Sequence, residues 1–115
     1  MIVKNPHDPD VIRTTEVISK GATIRWLLTE NVLRGLQYIA YAVLPPGKEI
    51  EEHIDPVEEV FFVLKGRGLI EVEGERRELK EKDLVLVPAG TAHSLKNHTD
   101  ERLELLVIAA YPRRK

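Results

Sequence analysis

Turn-forming residues interrupt this chain so often that no helix of ordinary length fits between them. They stand at Pro45-Pro46-Gly47, Gly66-Arg67-Gly68, Glu73-Gly74-Glu75, Lys82-Asp83, Pro88-Ala89-Gly90 and Asn97-His98-Thr99-Asp100. The runs between them are rich in Val, Ile, Leu, Tyr and Phe and lack the spacing of an amphipathic helix. Short apolar runs at regular intervals between Gly and Pro turns predict an all-β barrel or sandwich. The predicted strands are 11–17, 23–28, 36–44, 49–53, 59–65, 69–72, 76–79, 84–87, 93–96 and 103–111. Residues 31–35 read as a loop, and residues 1–10, with Pro6 and Pro9, as an irregular lead-in. With 115 residues there is room for one domain, expected over 11–115.

Composition narrows the partners. A net charge of −2 offers no basic field for a nucleic-acid backbone, and the one basic cluster, Arg113-Arg114-Lys115, reads as a solvated terminus. There is no cysteine, which excludes disulfides, thiolate metal sites and a cysteine nucleophile. The longest apolar stretch, from Leu105 to Tyr111, is far short of the roughly 18 residues of a membrane span. The first residues have no apolar core long enough for a secretory signal, so the expected compartment is the cytoplasm. A charged fraction of 31% leans toward a heat-adapted source, which bears on stability and not on function.

Two predicted strands are apolar on both faces. One parity of 59–65 gives Phe61 and Val63, the other Val60, Phe62 and Leu64; one parity of 103–111 gives Leu105, Val107 and Ala109, the other Leu106, Ile108 and Ala110. A half-exposed strand should alternate apolar and polar residues, so something covers the second face. The choices are the N-terminal strands of the same chain or an identical subunit, and a homodimer is the expectation.

The histidines carry the chemistry. His53 and Asp55 are two apart and share one face of a strand, and Glu59 has the same parity beyond Pro56. His93 follows the Pro88-Ala89-Gly90 turn. Two imidazoles and two carboxylates on adjoining strands of a small barrel can converge on one cation, leaving one or two positions for water or substrate. Glu58 would replace Glu59 only if the strand slipped by one residue, and His7 and His98 read as surface residues.

These residues resemble the cupin superfamily. Its first motif, Gly-x5-His-x-His-x3,4-Glu-x6-Gly, corresponds to Gly47, His53, Asp55, Glu59 and Gly66. The second, Gly-x5-Pro-x-Gly-x2-His-x3-Asn, corresponds to Lys82, Pro88, Gly90, His93 and Asn97. The motifs span 47–66 and 82–97. The resemblance implies a double-stranded β-helix, or jelly-roll, barrel holding one divalent metal on His53, Asp55, Glu59 and His93. Gly47, Gly66, Pro88, Gly90 and Asn97 would shape the turns that aim the ligand-bearing strands. Two positions depart. Lys82 replaces a turn glycine, and the turn is expected to form with right-handed geometry instead. Asp55 replaces a second histidine, which makes the set harder and more anionic and favours Mn²⁺ or Fe²⁺ over Zn²⁺ or Ni²⁺.

By parity, Phe61 and Val63 follow Glu59 and Leu95 follows His93, so these would line an apolar pocket; of Tyr38 and Tyr41, on opposite faces, at most one points inward. Trp26 reads as core or interface packing. The implied function is metal-dependent chemistry of dioxygenase or isomerase type on a small organic molecule or sugar. The alternative is a small-ligand-binding barrel without turnover, with or without metal.

Overall fold

Residues 1–111 are described by the computed structural model; the expectation for Arg113-Arg114-Lys115 lies outside them. In chain order the elements are α1 (Pro9–Ile12), β1 (Glu16–Val17), β2 (Thr23–Thr29), β3 (Leu36–Leu44), β4 (Glu49–Ile54), β5 (Glu59–Lys65), β6 (Gly68–Val72), β7 (Glu75–Leu79), β8 (Leu84–Val87), β9 (Ala92–Lys96) and β10 (Leu103–Ala110). They form two antiparallel sheets, one of six strands in the order β1-β2-β3-β10-β5-β8 and one of four in the order β4-β9-β6-β7. The fold is all-β, as its turn spacing predicts. Strand β10 shows why: buried and half-buried residues alternate along its length, with Leu103, Leu105, Val107 and Ala109 turned inward. The first three meet Ala40, Ala42 and Leu44 of β3, Phe61 and Val63 of β5, and Ile70, Leu79 and Leu95 of the smaller sheet.

The N-terminal segment differs from expectation. Where a strand over 11–17 is predicted, one turn of helix forms, followed by the two-residue β1, and the irregular lead-in ends at Asp8. Pro9 opens the turn with its φ already set, Asp10 favours the helix start, and the Thr14 and Thr15 hydroxyls donate to the carbonyls of Val11 and Ile12. A single turn is too short to leave a periodic signal. The segment lies against the outer face of the larger sheet. Arg25 Nη1 donates to the Pro6 carbonyl at 2.8 Å, the His7 ring stands edge-on to Tyr41, and Val11 is buried. The chain thereby covers the β2–β3 part of this face itself, while Leu64 of β5 and Leu84 and Leu86 of β8 stay exposed.

The Lys82 turn also departs from expectation. Its φ is +70°, in the left-handed region that glycine enters freely, rather than right-handed. The backbone has no choice there, because Lys82 N donates to Val63 O at 2.8 Å and Asp83 N to Lys80 O at 3.0 Å. At Gly66 the requirement is stricter: φ is +86° and a Cβ would lie 2.2 Å from the Arg102 carbonyl oxygen.

Asn97 is fully buried and closes one end of the barrel. Its Nδ2 donates to the carbonyls of Leu44 and Glu101 at 2.8 and 2.6 Å, and its Oδ1 accepts from the backbone and hydroxyl of Thr99. Gly47 N donates to Asn97 O at 3.0 Å, so the first residue of one motif is bonded to the last residue of the other.

Candidate metal centre

Four side chains meet at the opposite end of the β4–β9 pair. Strict alternation would send Ile50 and His53 of β4 to opposite faces. The β4–β9 register shifts between them, however, so that Ile50 pairs with Leu95 and His53 with His93. This bulge at Glu51-Glu52 turns both side chains inward. Asp55 follows β4, and its carbonyl accepts from Gly90 N at 2.8 Å, so the Pro88-Ala89-Gly90 turn holds it beside the strand of His93. Glu59 opens β5 and is 4% exposed.

One ligand atom from each of His53, Asp55, Glu59 and His93 lies within 4.8 Å of the others. Asp55 Oδ2 is 3.0 Å from His53 Nε2 and 3.6 Å from His93 Nε2, and Glu59 Oε1 is 3.6 Å from His93 Nε2. Around a divalent ion with bonds of about 2.1 Å, adjacent donors stand about 3.0 Å apart and opposite ones about 4.2 Å. The cluster has the right scale for one ion.

The tautomers point the same way. His53 Nδ1 lies 2.8 Å from Glu51 O, and His93 Nδ1 lies 2.9 Å from Thr91 O. A carbonyl only accepts, so each Nδ1 donates, and a neutral ring presents a bare Nε2 to the cluster. His93 is 2% exposed, and its Nε2 is buried without any hydrogen-bond partner. Lone pairs therefore face lone pairs, an arrangement that needs a cation or an added proton. The protonation equilibria reflect this strain. Contact with Glu59 raises the His93 pKa against the opposing effect of burial. Burial, then the neighbouring Glu59, raises that of Asp55. Burial alone would raise Glu59 as well, but His93, Asp55 and Tyr38 together outweigh it and hold Glu59 below its ordinary value. By these observations the residues fit a divalent ion.

The surroundings sort the remaining expectations. Tyr38 is the inward tyrosine. Its hydroxyl donates to Glu59 Oε2 at 2.7 Å, and burial, then Glu59, raises its pKa. Tyr41 faces outward beneath the N-terminal segment and bonds Glu104; burial and that bond push its pKa up to about 12. Phe61 lies beside His93, with ring centroids 6.4 Å apart. Val63 and Leu95 face the same interior but sit deeper, packed into the core with 0% and 1% exposure. Glu58, His7 and His98 are exposed, and His98 is paired with Glu78. Trp26 stands edge-on to Tyr38 at 5.0 Å. Parity alone gives no Tyr38–Glu59 bond, because β3 and β5 are far apart in sequence. The available signal is the pair of small residues that ends β10, Ala109-Ala110, of which Ala109 pairs with Tyr38 on one side and Glu59 on the other.

Comparison with known proteins gives concordant findings. The profile of the Cupin domain family matches residues 40–109, more than half of the chain. An uncharacterized protein of Methanocaldococcus jannaschii is 32% identical over 96% of this chain and 87% of its own length. Two shorter matches each cover 56% of this chain. A 3-hydroxyanthranilate 3,4-dioxygenase of Burkholderia cenocepacia is 35% identical over 39% of its length, and an oxalate-binding protein of Thermotoga maritima is 30% identical over 54% of its length. Among solved structures, a predicted oxalate decarboxylase from Thermotoga maritima superposes with a TM-score of 0.80 at 24% identity, covering 95% of this chain and 98% of that one.

Proposed function

The chain belongs to the cupin domain family, and from that membership we propose that it is a metal-dependent protein acting on a small organic acid at His53, Asp55, Glu59 and His93. The observation that carries this reading is His93 Nε2, buried without a partner and aimed at three other donor atoms. Two histidines and two carboxylates favour Mn²⁺ or Fe²⁺, with Zn²⁺ and Ni²⁺ as weaker fits. Such an ion supplies Lewis acidity to a substrate oxygen, or a redox couple for oxygenase chemistry. The chain's own groups do the rest. Backbone carbonyls of Glu51 and Thr91 fix the imidazoles, Tyr38 holds Glu59, and Phe61 places an apolar wall beside His93. Oxalate and 3-hydroxyanthranilate, which the names of two relatives contain, both carry neighbouring heteroatoms that can reach one ion together.

A second reading, ligand binding without turnover, is favoured by the 3.0 Å approach of His53 Nε2 to Asp55 Oδ2, which one added proton turns into a hydrogen bond with no metal present. As a working assembly we take a homodimer, supported by the bare outer leucines Leu64, Leu84 and Leu86. Among the described residues no helix is long and apolar enough to cross a membrane.

Elemental mass spectrometry on untagged protein tests the metal reading. The expected result is about one Mn or Fe per chain, lost in His93→Ala. No bound metal after dialysis against Mn²⁺, Fe²⁺, Zn²⁺ and Ni²⁺ would overturn it, and would direct the search to a metal-free ligand.

A further inference from the structure

The larger sheet places three residues in line at the mouth of the barrel. Ala109, at the end of β10, pairs with Tyr38 of β3 on one side and with Glu59 of β5 on the other. All three have inward parity. Because the middle residue is only a methyl group with 0% exposure, the two long side chains meet across it, and Tyr38 reaches Glu59 Oε2 at 2.7 Å. A phenol donating to a carboxylate oxygen is a charge-assisted bond, stronger than one between neutral groups. The ring has its own support. Trp26 packs against it with the ring planes 88° apart, and the Trp26 indole N–H points to Glu16 Oε1 at 3.4 Å. The other oxygen, Glu59 Oε1, is the one that faces His93 Nε2.

We infer that Tyr38 is a positioning residue that fixes the denticity of Glu59: its hydroxyl occupies one carboxylate oxygen, so that Glu59 offers a bound ion only the other. The inference rests on the metal reading above and deepens it. Carboxylates bind hard divalent ions through one oxygen or through both. With four single-atom protein donors, a six-coordinate ion keeps two positions free, which suits a substrate that chelates through two oxygens, such as a dicarboxylate or a 2-hydroxy or 2-oxo acid. A Glu59 free to bind through both oxygens would take one of those positions, leaving room for a single substrate atom. Tyr38 therefore acts on substrate class through Glu59, without itself touching the reacting atoms.

The test compares wild type with Tyr38→Phe, both loaded with Mn²⁺, by counting inner-sphere waters from oxygen-17 relaxation and by measuring oxalate affinity calorimetrically. Wild type is expected to show two exchangeable waters. Tyr38→Phe should bind Mn²⁺ with the same stoichiometry, show one water, and bind oxalate roughly 10-fold or more weaker. Tyr38→p-aminophenylalanine, which restores a donor at the same place, should recover both values. Ala109→Val, which pushes the two side chains apart while leaving the tyrosine in place, should reproduce the loss and serves if Tyr38→Phe folds poorly. Equal water counts and oxalate affinities in wild type and Tyr38→Phe at equal loading would overturn the inference and leave the metal reading standing. A wild type that takes up no Mn²⁺ would overturn both, and that result is read before any variant is made.

Discussion

An imidazole has two nitrogens, and in this cluster the backbone claims one from each histidine. Because Glu51 O and Thr91 O accept from Nδ1, both rings turn Nε2 toward the cluster, and it is there that His93 gains or loses its proton. For His93 the consequence is a pH-dependent stability. Its folded pKa is raised above the ordinary 6.5, chiefly by Glu59, so its contribution is fully present below that value. The contribution is lost as pH climbs through the higher folded pKa. Glu59 is held low and is already ionised across this range, so it adds no slope of its own. Chelator-treated wild type should therefore lose thermal stability as pH rises above about 6.5, relative to His93→Gln, which subtracts the other titrating groups. A difference that is flat, or that rises with pH, contradicts this account. Metal uptake should strengthen over the same interval, because the ion displaces the proton on His93.

At the scale of elements, turns and bulges decide where those residues point. The Lys82 turn is bonded on both sides and forces an L-residue to φ +70°, at a cost of about 1–2 kcal/mol. Lys82→Gly relieves that strain but loosens the unfolded chain, for a net gain of about 0.5–1 kcal/mol. A melting point higher by roughly 2–5 °C is the expected outcome; an unchanged or lower one would show that the lysine side chain stabilises the turn by other contacts.

The same scale explains what was legible in the sequence. Strands β3, β5 and β8 can be read to their ends because Gly, Pro and Asp turn residues bound short, nearly continuous apolar runs. The clustering of the candidate residues His53, Glu59 and His93 is readable because their spacing is set by those same turns. What escaped was produced by single residues acting on backbone geometry: the one-turn α1, the left-handed Lys82 and the bulge at Glu51-Glu52. The Tyr38–Glu59 bond escaped for a different reason. It depends on β3 and β5 flanking β10, a long-range order that no local pattern encodes.

For the whole molecule, the outer face of the larger sheet divides into a half covered by the chain's own N-terminal segment and a half left bare. The bare half carries Leu64, Leu84 and Leu86, with half-buried Val60, Phe62, Leu106 and Ile108 beside them. A second copy resting on these residues gives a dimer of roughly twice the 13.1 kDa chain mass. Sedimentation velocity should show that species for wild type and the single chain for Leu84→Asp/Leu86→Asp with its fold intact. Wild type sedimenting as a single chain would exclude the assembly.

The two ends of the barrel are fastened by different means. At one end Asn97 joins both motifs through bonds the chain makes to itself. At the other, four groups from both sheets and the β4–β5 connection lean on one another with lone pairs facing inward. Under the metal reading, the second fastening is a loan from the solution. Its strength follows the logarithm of free ion concentration, about 1.4 kcal/mol for each decade above the dissociation constant. Two preparations of identical sequence, one exposed to chelator and one not, would then differ in durability as two homologous proteins do. A melting curve of this protein would report on the buffer as much as on the chain.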